Sequence, residues 1–121
     1  SPDQMNELRG QPGVNVLSVP SRTEVVVIMN CSIPPFNSKQ VRQAVSYLVP
    51  YETIVNDIYK GRALAARSVI PNLGVYHNPK FWTYKTDPAM AKELLAKAGV
   101  PNGFEFTLNI KQGEFLAVME V

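Results

Sequence analysis

Few residues in this chain of 121 amino acids could do chemistry, and they are scattered. His77 is the single histidine and Cys31 the single cysteine. A protein-bound zinc needs several histidine, cysteine or carboxylate ligands that converge at short sequence spacings. His77 has no such neighbours; it stands among Tyr76, Phe81, Trp82 and Tyr84, where loop packing is the plainer reading. Cys31 has no adjacent histidine and no second cysteine to draw out a thiolate, and it excludes an internal disulfide. Glu52 and Asp57 are five positions apart, off a common helix face, and do not make a carboxylate pair for acid–base work. The glycines fit neither the phosphate-loop nor the dinucleotide pattern. The aromatic group could stack on a ligand or on bases, but a net charge of +2 weighs against nucleic acid as a partner. No enzyme, metal set or cofactor is read from these residues.

The elements that position these residues can be read from periodicity and capping. A hydrophobic fraction of 45%, with 9% aromatic, is that of a folded chain. No apolar run is long enough to cross a bilayer, and no basic, apolar leader opens the sequence. Ser1-Pro2-Asp3-Gln4 reads as a capping box with proline at the first helical position, opening a short helix that ends at Gly10. Residues 14–19 and 23–30 read as strands. Val25, Val26, Val27, Ile28 and Met29 are apolar without alternation, the pattern of a strand covered on both faces. Ser38 is a helix N-cap, followed by Val41, Ala44, Val45 and Leu48 on one face and by Lys39, Gln40, Arg42 and Gln43 on the other. A second helix is expected over 50–60, stopping at Gly61.

Residues 62–85 read as a long loop with a short strand near 68–70. Asp87 and Pro88 start another helix as N-cap and first residue. Ala91, Leu94, Leu95 and Ala98 form its core face, Glu93 and Lys97 pair across one turn, and Gly99 ends it. Phe104, Phe106, Leu108 and Ile110 alternate along a final strand, and a helix is expected from Gly113 to the end. That last helix is short enough to be marginal alone, so the chain reads as a piece cut within it.

The wording of these segments is more specific than their periodicity. Ile33-Pro34-Pro35-Phe36-Asn37-Ser38 leads into Val41-Arg42-Gln43-Ala44. Then come Glu52-Thr53-Ile54-Val55, Tyr59-Lys60-Gly61, Tyr84-Lys85-Thr86-Asp87-Pro88, Ala91-Lys92-Glu93-Leu94-Leu95, and Pro101-Asn102-Gly103-Phe104. In this order the chain resembles the extracytoplasmic solute-binding proteins of peptide, dipeptide and nickel ABC importers, over about residues 23–108. One departure is clear: where such proteins usually carry Asp-Arg, this chain has Pro50-Tyr51, and a capping side chain is lost. The Asn30-Cys31-Ser32 glycosylation pattern carries no weight in a family of bacterial proteins.

The resemblance implies an α/β fold, mixed α+β, of which this chain is a partial domain from a two-lobed architecture that closes on ligand. Residues 1–32 would end the first lobe, and 33–121 would begin the second. Asn30 would contact the ligand, with Met29 and Cys31 lining the cleft beside it. Alternatively, Asn30 only ties down the turn. The implied function is capture of peptides outside the cytoplasm and delivery to a membrane permease, in a periplasmic or extracellular protein, lipid-anchored in its full-length form. A nickel complex, an oligosaccharide or another solute is the alternative within the family. A small stand-alone interaction module is the alternative outside it. A piece of this kind would expose apolar surface and self-associate.

Overall fold

Local capping decides where the helices of this chain begin and end. The computed structural model describes residues 2–110. In chain order it contains α1 (Pro2–Arg9), α2 (Lys39–Leu48), α3 (Tyr51–Thr53) running on into a π-turn (Ile54–Ile58), a 3-10 turn (Pro79–Phe81) and α4 (Pro88–Lys97). Ser38 caps α2, its side chain accepting from the Val41 amide, and Asp87 caps α4 by accepting from Met90. Pro88 occupies the first turn of α4, where its missing amide hydrogen would be unsatisfied in any case.

Helix α4 ends in a Schellman motif. The Gly99 amide donates to the Ala96 carbonyl at 3.1 Å and the Val100 amide to Leu95 at 3.0 Å, with Gly99 at φ 81°. The first residue of the expected capping box and the helix expected from Gly113 lie outside the described residues.

The chain divides into two compact units. The second comprises Val25–Tyr51 and Thr83–Asn109, and its core is the packing of α2 on α4. Val41, Ala44 and Ala91 are fully buried, so small side chains let the two backbones approach closely. The Asp87 amide donates to the Tyr47 carbonyl at 2.8 Å, fixing the start of α4 to the end of α2. The rings of Tyr47 and Tyr84 meet edge to face at 5.1 Å. Val45 is half-buried, but Leu48 is exposed, so the apolar stripe of α2 is narrower than its sequence suggests. Glu93 and Lys97 do pair, at 2.6 Å on an exposed face.

The first unit holds α1, the π-turn and the loop after it, within residues 2–24 and 52–82. The expected helix over 50–60 is α-helical only to Thr53. From Ile54 the bonding widens, with the Tyr59 amide reaching the Ile54 carbonyl at 3.1 Å. The wider turn puts Ile54, Val55, Ile58 and Tyr59 on its half-buried side. Lys60 and Gly61 then adopt left-handed φ and stop it. In the loop, Gly74 packs so closely on Ile70 that a Cβ there would collide with the isoleucine side chain. His77 closes this loop, its Nδ1 lying 2.8 Å from the Ile70 carbonyl. The 3-10 turn was not expected; Asn78 caps it by accepting from Lys80.

No strand forms among the described residues. The segments expected as strands at 14–19, 23–30, 68–70 and 104–110 have no ladder partner, and the expected α/β class is not seen directly. The physical reason is that a strand is completed by hydrogen bonds to a neighbour, whereas a helix satisfies its own backbone. Val26 and Ile28 are exposed, where double coverage was expected.

Candidate functional site

The segment 29–38 carries the residues singled out for ligand contact, and all of it lies in the second unit. Asn30 is exposed, and its Oδ1 accepts from the Ser32 amide at 3.0 Å, forming an Asx turn. The Asn30 carbonyl also receives the Ile33 amide, at 3.4 Å. One half of the Asn30 amide is thus committed to the turn, and its Nδ2 donors take no part in it. Met29 is half-buried. Cys31 is exposed, with its Sγ 3.5 Å from the Met29 carbonyl. The three stand together because the turn is tight.

Beyond the turn, the chain is held more firmly. Asn37 donates to the Ile33 carbonyl at 3.1 Å and Ser38 to Pro35 at 3.1 Å. Arg42 reaches back from α2, its Nη1 donating to the carbonyls of Phe36 at 2.7 Å and Asn37 at 3.1 Å. Its expected place on the solvent face of α2 is therefore corrected: Arg42 is half-buried because its guanidinium serves loop carbonyls. The Phe36 ring meets Phe104 at 5.6 Å and Phe106 at 5.5 Å, both edge to face. Phe104 and Phe106 thus do share a side, as their alternation implied, even though no ladder forms.

The aromatic candidates are divided between the two units. Tyr76 and Phe81 are highly exposed in the first unit, and Tyr84 belongs to the second. Among the described residues, no group of three histidine, cysteine or acidic side chains could hold a metal ion. Among them, too, no helix is long and apolar enough to cross a membrane.

Comparison with known proteins decides the family. The description "Bacterial extracellular solute-binding proteins, family 5 Middle" matches residues 1–120. The chain belongs to this family.

Among curated relatives of this solute-binding family, heme-binding protein A of Haemophilus influenzae is 33% identical over 82% of the chain and 18% of its own length. Glutathione-binding protein GsiB of Pectobacterium atrosepticum is 32% identical over 88% of the chain and 20% of its own length. The Escherichia coli K12 protein of the same name is 33% identical over 88% of the chain and 20% of its own length. The chain thus spans about a fifth of the relatives it matches. No solved structure matches it. Family membership agrees with the resemblance read from residues 23–108. Solute-binding proteins are binding proteins, and the family's description places them outside the cytoplasm.

Proposed function

We propose that this chain is part of the substrate-binding subunit of an ABC importer that captures peptide-type solutes outside the cytoplasm and passes them to a membrane permease. The observation that carries this reading is the family match across residues 1–120, together with relatives named for binding glutathione, itself a small peptide. In this reading residues 1–32 end one lobe, residues 33–36 cross to the other, and 33–121 begin it. Asn30 offers its Nδ2 donors to a peptide carbonyl while Oδ1 holds the turn, with Met29 and Cys31 beside it. A two-lobed protein of this kind encloses its ligand, so the contacts in this chain are part of a larger set. The protein works in the periplasm or at the cell exterior, with lipid anchoring as its means of retention there.

A second reading keeps the family and changes the solute. The haem-binding relative favours it, being as similar to this chain as the glutathione-binding ones. A nickel complex or an oligosaccharide belongs with this reading.

Calorimetry on the full-length gene product, with glutathione, dipeptides, longer peptides, haem and a nickel chelate as separate titrants, tests both. Tight binding of a peptide supports the first reading. Binding of haem or the nickel complex alone replaces it with the second, and no binding of any titrant rejects the peptide and metal-complex assignments together. The isolated stretch 1–121 is expected to show no submicromolar affinity for peptides and to self-associate by light scattering.

A further inference from the structure

We propose that Arg42 locks residues 33–38 onto α2 as a rigid strut, so that bending of the chain where it crosses between lobes is confined to residues 30–32. The bending half of this proposal rests on the reading of 33–36 as the crossing; the strut itself rests on geometry alone. Three independent attachments hold the C-terminal part of the segment. The Arg42 guanidinium spans two successive carbonyls, at 2.7 and 3.1 Å. The Phe36 ring is gripped by two other rings, at 5.6 and 5.5 Å. The Asn37 and Ser38 amides close back on Ile33 and Pro35.

The N-terminal part has none of these. Residues 30–32 are exposed, and among the described residues their hydrogen bonds stay within their own turn: the Asn30–Ser32 bond, the Cys31–Met29 contact and a long Ile33–Asn30 bond. Torsional freedom therefore remains in the turn and is removed beyond it. The consequence is mechanical. A rotation of α2 carries Phe36 and Asn37 with it, and the turn bearing Asn30 absorbs the difference. Arg42 is in this sense a positioning residue, acting on Asn30 through the strut rather than on any ligand.

Hydrogen exchange of the full-length gene product, resolved to single amides, tests this without ligand. In the wild type, the Asn37 and Ser38 amides exchange slowly and those of Ser32 and Ile33 quickly. Arg42→Ala speeds exchange at Asn37 and Ser38 by on the order of tenfold or more, the expected effect of losing a charged donor. The α2 amides from Ala44 to Leu48 stay protected. Arg42→Lys keeps the aliphatic stem and the charge, gives an intermediate effect, and decides the question if the alanine variant disturbs α2. Unchanged exchange at Asn37 and Ser38 in the variants, or slower exchange at Ser32 and Ile33 than at Asn37 and Ser38 in the wild type, overturns the proposal. Failure of glutathione and every other titrant to bind the wild type rejects the peptide and metal-complex assignments instead, and leaves the exchange result to decide the strut.

Discussion

Thr86 joins the Tyr51 amide to the end of α2: its Oγ1 accepts from the Tyr51 nitrogen at 3.3 Å and donates to the Val49 carbonyl at 2.6 Å. The Pro50-Tyr51 pair leaves the start of α3 without a capping side chain of its own. Thr86, 35 residues further on, gives the first amide of α3 a side-chain acceptor beside the Val49 carbonyl, to which that amide also donates at 3.0 Å. Thr86→Val keeps the shape and removes both bonds. It is expected to lower stability by about 1–2 kcal/mol in urea unfolding of the full-length protein, with Thr86→Ser recovering most of the loss. A valine variant with an unchanged midpoint would show that the hydroxyl does not hold this junction.

The two side-chain caps of the long helices differ in quality, and the difference is measurable. Asp87 accepts from Met90 at 3.0 Å with a charged oxygen at a helix N-terminus, whereas Ser38 accepts from Val41 at 3.5 Å. Replacing a cap by alanine costs about 0.5–2 kcal/mol. Asp87→Ala is expected near the top of that range and Ser38→Ala near the bottom. The reverse order in matched denaturation curves would refute the geometric ranking.

What could be read ahead from the residues was what is local in sequence. Asp87-Pro88 and Gly99 mark both ends of α4 because capping acts within one turn, and Ser38 marks α2 for the same reason. Val25 to Met29 are apolar enough for a covered strand, but no ladder partner stands among the described residues. The Thr86 bridge and the Arg42 grip on Phe36 were invisible for a related reason, since a polar side chain in a loop or on a helix face looks solvated until the backbone it reaches is known. Asn30 was legible as a turn residue. The proposed contact of Asn30 with ligand comes from the family resemblance and not from the turn itself.

The contact between α2 and α4 depends on small side chains. Ala44 and Ala91 are completely buried and Val41 is 1% exposed, so no room remains where the helices meet. Ala91→Leu adds volume that only helix separation can accommodate, and overpacking of this kind costs about 1–3 kcal/mol. Ala96→Leu, at an exposed position on the same helix, is expected to change stability little. A thermal midpoint that falls for Ala91→Leu and holds for Ala96→Leu supports the packing; equal effects would count against it.

Tyr51 gives the fold an alkaline limit. Burial of its phenol, and secondarily the nearby Tyr84, raises its pKa above the ordinary 10.0. The hydroxyl also donates to the Ser46 carbonyl at 2.9 Å, a bond that the phenolate cannot make. Because the folded-state value lies above the unfolded one, the stabilisation is complete below about pH 10. It is lost as pH rises through the folded value. Phenolate absorbance, taken as the difference between wild type and Tyr51→Phe, is expected to titrate later than a free tyrosine. Stability of the wild type should fall over the same interval, while Tyr51→Phe, weaker at neutral pH for want of the Ser46 bond, lacks this contribution to the fall. Since burial is the larger cause, Tyr84→Phe should leave most of the shift in place. A Tyr51 signal that titrates at the ordinary value would mean that its hydroxyl is open to water and does not hold α2 to α3.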